Sequence, residues 1–139
     1  MPFSPSQLKR RLIEAGFEIF RTRGDEVVLA ERPRENLILD SLVSVRCGPP
    51  LEVRATFRAQ RSAFQHDDEA QLFWRVRGLA AVASGFEERA CHIVPVSDPG
   101  DASHLLDEFY DVLVAAEAES LEAAVDLLRL ALGFDKRLI

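Results

Sequence analysis

The stretch DASHLLDEFYDVLVAAEAESLEAAVDLLRLALGF, residues 101–134, decides how this chain folds, because it carries the longest apolar periodicity in the sequence. Leu105, Phe109, Val112, Leu113 and Ala116 recur at three- and four-residue spacing, the period of an amphipathic helix. Asp101 or Ser103 stands where such a helix opens. Ser120 caps a renewed segment, with Glu122 early in its first turn, where the helix dipole favours negative charge. Leu121, Val125, Leu128 and Leu132 then form one stripe, and Leu127, Leu130 and Phe134 add a second. A helix apolar on two sides is buried on two sides. One side is expected to cover a sheet. The other, through Leu127, Leu130 and Phe134, is expected to form a homodimer interface.

Upstream, the signals for local structure are chemical. Ser4 is the expected N-cap of a first helix over about residues 5–15, with Pro5 at N1 and Gln7 completing a capping box. Phe3 and Leu8 occupy the two positions of a hydrophobic staple, and Gly16 is the natural terminator. Arg23-Gly24-Asp25 reads as the tight turn of a hairpin rather than an adhesion motif, and Pro33 is expected to end its second strand. Gly48-Pro49-Pro50 is another turn. After it Leu51, Val53, Ala55, Phe57 and Ala59 alternate without a break against Glu52, Arg54, Thr56, Arg58 and Gln60. That period of two predicts an antiparallel strand with one wet face, and Arg46, Arg54 and Arg58 line it. On this reading Phe57 is core, and replacing Arg58 costs little.

His66 or Asp67 is expected to cap a second helix, in which Phe73, Val76, Ala80 and Ala83 make one stripe and Trp74 sits at its edge. The segment ERACHIVPV reads as a short strand, with Pro95 marking an edge, and SDPGD as a loop. The fold class is therefore α+β, in a single domain over residues 1–139. It comprises an N-terminal helix, an antiparallel sheet of four to five strands, helices packed on one face and a long C-terminal helical segment.

Composition narrows the function. The chain has 139 residues and a formal net charge of −6, and 47% of it is hydrophobic. Residues 1–62 carry 11 basic against 8 acidic side chains, and residues 63–139 carry 6 against 15. Nucleic-acid binders present a dominant basic field, so this balance argues against that class. No apolar run is long enough for a transmembrane helix, and the polar N-terminus is unlike a signal peptide. Two cysteines are too few for a disulfide framework, and a cytoplasmic location is expected. Cys91 and His92, adjacent on a strand, point to opposite faces and do not share a metal ion. There is no nucleophile elbow and no glycine-rich phosphate loop, so no catalytic residue and no cofactor is assigned.

The opening SQLKRRLIEAGFEI, the hairpin RTRGDEVVLAE, the helix DDEAQLFWRVRGLA and the closing helix from Asp101 together resemble, by pattern over nearly the whole chain, the type III secretion chaperone-like fold. The chain departs from that pattern in having one strand rather than two between its second and last helices, and in a longer C-terminal helix. The resemblance implies a homodimer that binds a partner polypeptide without catalysis. Its partner is expected on an acidic surface around Glu87, Glu88, Asp107, Asp111 and Glu119. Two other classes are carried beside it: a small-molecule-binding or catalytic α+β domain with a pocket between sheet and helices, and an acidic inhibitor of the immunity-protein type. A dimer interface on the second apolar side of residues 121–134 favours the first reading, and a ligand cavity there the second.

Overall fold

The computed structural model describes residues 3–139, and it overturns the helical reading of residues 101–118. They form one 18-residue strand, β6 (Asp101–Ala118), and only Leu121–Leu132 is helical. The described residues are 48% strand and 28% helix, with seven strands where four to five were expected and no long C-terminal helical segment. The reason is an ambiguity of period. Val112 and Ala116 fit the helical stripe, yet with Tyr110, Val114 and Ala118 they also form a buried run at every second residue, and Asp111 and Ala115 between them are buried too, as in a strand covered on both faces. The stretch SDPGD is the tight connection between β5 (Glu87–Asp98) and β6. Two strands therefore separate the second and last helices. No described helix is long and apolar enough to cross a membrane.

The chain divides into two units, residues 1–55 with 115–134, and residues 56–114 with 135–139. In the first, α1 (Pro5–Glu14) begins as its sequence dictates. The Ser4 hydroxyl accepts from the Gln7 N–H at 3.2 Å, and the Gln7 side chain accepts from the Ser4 N–H at 3.0 Å. Leu8 and Leu12 are fully buried beneath it. Strands β1 (Ile19–Arg23), β2 (Glu26–Arg34), β3 (Leu37–Arg46) and the first half of β4 (Leu51–Gln60) follow in antiparallel order. Gly24, at φ +60°, makes the first turn without the cost a side chain would carry there. Pro33 does not end β2, which runs on to Arg34. Edge regions with shifted register tolerate a missing donor, and the β2–β3 register shifts between Glu31 and Arg34.

Register builds the first core. Val27, Val45 and Val53 are cross-strand partners and all are fully buried. The last helix, α3 (Leu121–Leu132), is capped by Ser120 and buries Ala124, Leu128 and Ala131, a narrow face of small residues around one leucine. It packs on β3, and α1 packs on β1 and β2. One irregularity interrupts β3. Between the pairs Val28–Ser44 and Ala30–Asp40, β2 has one residue and β3 has three. Leu42 takes up the slack at φ +62°. The buried Ser41 hydroxyl donates to the Leu29 carbonyl at 2.7 Å and accepts from the Val43 N–H at 3.1 Å, so it is satisfied within the bulge.

In the second unit the later half of β4 lies beside β6, and β6 beside β5, with β7 (Arg137–Leu138) parallel to β4. The helix α2 (Glu69–Ala80) is capped by Asp68, not by His66 or Asp67; Asp68 and Gln71 form a reciprocal box at 2.8 Å in each direction. It buries Leu72, Val76 and Ala80, while Trp74 stays largely exposed. Phe73 reaches Tyr110 with ring centroids 5.0 Å apart. Phe57 and Ala59 of β4 are fully buried, as their alternation requires.

Candidate functional site

The wet face of β4 is not a free cationic surface. In the first unit Arg46 Nε donates to Asp25 Oδ2 at 2.8 Å, and Arg54 donates to Glu26 at 3.0 Å and to Glu52 at 2.7 Å. Asp25 is held below its usual carboxylate range by the hydrogen bond from Arg46. In the second unit Arg58 Nε and Nη2 donate to the two oxygens of Asp111, both at 2.8 Å. The Arg58 guanidinium also lies 4.2 Å from the centroid of the Phe109 ring. Phe109 and Asp111, two apart on a strand, share a face, so the arginine is held by a carboxylate and a π-surface at once. All three expected arginines are engaged with carboxylates.

The same geometry redistributes the expected acidic surface. Asp111 is 2% exposed and belongs to the ion pair, not to a docking face. Its exposure was inferred from a helical pattern, and the segment is a strand. Asp107 accepts from Gln60 Nε2 at 2.6 Å, from the Ser62 hydroxyl and N–H at 2.6 and 3.1 Å, and from the Glu108 N–H at 2.8 Å. Burial pushes the Asp107 carboxyl up, but the donors of Ser62, Gln60 and Glu108 outweigh it and hold the group below its usual range. Glu87 pairs with Arg89 and Glu88 with Arg77, each at 2.9 Å, and both remain exposed. Glu119 lies in the first unit, beside the N-cap of α3. Of the expected dimer residues, Leu130 is 51% exposed, and Leu127 and Phe134 are half-buried.

What the sequence did not reveal is the arm formed by β5 and the first third of β6. Residues 101–106 are exposed without exception, and Leu105 and Leu106 are 51% and 55% exposed. Adjacent strand residues point to opposite faces, so the arm is bare on both sides at this level. Its outer strand, β5, is the last in the order, and Pro95 within it fits an edge position. Among the described residues no ion pair reaches Asp98, Asp101, Asp107 or Glu108 on the same two strands. Asp101 is held below its usual range by the Ser103 hydroxyl and N–H, so it stays ionised at neutral pH. The signal for the arm was present as two extended runs flanking Asp98-Pro99-Gly100-Asp101.

No described group of three His, Cys, Asp or Glu side chains is placed to hold a metal ion. Cys91 receives a hydrogen bond from Arg77 Nη2 at 2.9 Å. Burial and then Glu88 nevertheless push its thiol pKa up, against Arg77, and burial likewise raises that of Cys47. Comparison with protein-family models, with curated proteins and with solved structures gives no match.

Proposed function

We propose that this chain is a non-catalytic protein-binding domain that docks its partner on the β5–β6 arm. The observation that carries the reading is the joint exposure of Leu105 and Leu106 on opposite faces of one strand, whose sequence also carries Asp101, Asp107 and Glu108. A two-stranded ribbon is marginally stable in water unless one face is covered, and here the first third of β6 is exposed while β5 is at most half-buried. A partner that covers the leucines adds the missing apolar contact, and one with basic residues matches the surrounding charge. The chaperone-like reading enters here only as the kind of function proposed, a domain that binds a partner polypeptide without catalysis. Two strands stand between α2 and α3, and α3 spans only Leu121–Leu132.

Homodimerisation is the narrower part of the proposal, resting on the exposed Leu130 between half-buried Leu127 and Phe134. The cytoplasm is the proposed compartment, since both cysteines are free thiols. The test of docking is capture of host proteins by the wild-type chain and by Leu105→Asp with Leu106→Asp, at low and at high salt. A specific partner is expected that binds the wild type, is lost with the double variant and weakens as the Debye length falls below about 10 Å. A partner retained by the double variant and indifferent to salt would sink the arm as the docking surface.

A further inference from the structure

Within the first unit a groove runs between α1 and α3. It consists of two adjoining hollows, of about 330 and 370 Å³, that share Arg11, Leu121 and Glu122. The floor is apolar. Leu121 and Val125, one turn apart on α3, are half-buried, and Phe3 and Leu51 close the end beside the β3–β4 turn.

The walls are charged and out of balance. Four carboxylates, Glu14, Glu119, Glu122 and Asp126, stand against two guanidiniums, Arg11 and Arg129. Both cations are already occupied. Arg11 pairs with Glu14 at 3.7 Å, while Arg129 Nη2 donates to the Ala15 carbonyl at 3.4 Å and its guanidinium lies 5.7 Å from the Phe17 ring centroid. Among the described residues no ion pair reaches Glu119, Glu122 or Asp126. The α3 dipole accounts for Glu122 in its first turn, but it falls off before Asp126, one turn further in. Arg129, three residues beyond Asp126 and the natural helical partner for it, is turned toward Ala15 instead.

We infer that this groove is a second docking site, one that takes a basic amphipathic segment of a partner protein. Aliphatic side chains of the segment lie on Leu121 and Val125, and its Lys or Arg side chains meet Glu119, Glu122 and Asp126. The stretch of α3 from Leu121 to Arg129 is about 12 Å long at the helical rise, enough for roughly two turns of a docked helix. The inference uses none of the arm residues and stands without the arm reading.

The test is fluorescence anisotropy of the full chain with a fluorescein-labelled peptide of Lys, Leu and Ala whose leucines keep helical spacing. A peptide with Glu in place of every Lys is the control. The lysine peptide is expected to bind saturably and the control not to bind. Glu122→Gln with Asp126→Asn should weaken binding about tenfold, the scale of losing close charge pairs. Val125→Ala, which keeps the charge and shortens the floor, should weaken it by about threefold, as loss of buried methyl groups does. Circular dichroism and thermal melting establish that each variant folds. Asp98→Asn with Asp101→Asn, on the arm, should leave peptide binding unchanged. Absence of saturation, indifference to Val125→Ala, or equal weakening by the arm pair would overturn the groove as the site, the last by tracing binding to general acidity.

Discussion

Phe57 and Arg58 are neighbours on β4, and the sheet sends them into opposite surroundings. Phe57 has no exposed surface, so Phe57→Ala is expected to cost about 3–5 kcal/mol through lost transfer energy and a cavity. Simple alternation made Arg58 a cheap surface residue, and that expectation does not survive its partner. Removing the guanidinium strands the buried Asp111 carboxylate, so Arg58→Ala is expected to cost about 3 kcal/mol. Arg58→Met together with Asp111→Leu removes both charges and should restore most of that loss. Urea titrations of the three variants check this, and a single-variant cost under about 0.5 kcal/mol would break the pairing. Asp107 supplies a test in pH. Its folded pKa is depressed below 3.8, so its contribution to stability is present above that value and is lost as pH falls through the depressed one. Stability profiles of the wild type and Asp107→Asn should therefore converge at the acid end and diverge above about pH 4.

Among the elements, those written in local chemistry were legible. The box of Ser4 and Gln7 and the turn at Gly24 fix their structures from within a few residues, and the alternation of Leu51 to Ala59 left β4 no second reading. Failures came where a local signal has two solutions and a distant strand chooses. Residues 109–116 satisfy the helical and the extended period together, and only β4 and β5 on either side of β6 select the strand. The arm's exposure was equally hidden, since Leu105 fits a buried stripe in one reading and stands bare in the other. The cap of α2 is a smaller case, where three consecutive residues could serve and Asp68 does. Asp68→Ala should destabilise the protein by about 1 kcal/mol, and His66→Ala by far less, in thermal or urea melts. Equal effects would return the cap to an open question.

For the whole molecule, uneven charge is the property on which both proposed docking surfaces rest. The arginines of β4 are spent on internal carboxylates, and the acids without an ion pair include Asp98, Asp101 and Glu108 on the β5–β6 arm and Glu119, Glu122 and Asp126 in the α1–α3 groove. Such a distribution accelerates association with basic partners more than it strengthens the bound state. Self-association draws on apolar surface instead. Light scattering at micromolar concentration should report a dimer that Leu130→Asp dissociates, and a monomeric wild type would remove that part of the proposal. The proposed docking arm requires residues 101–118 to be extended, so that point carries the most weight. Backbone chemical shifts of the full chain across residues 101–118 test it most directly. The account predicts strand-type Cα and Cβ shifts from Asp101 to Ala118, with helical values beginning only after the Ser120 cap. Continuous helical shifts from about Leu105 to Ala116 would contradict it.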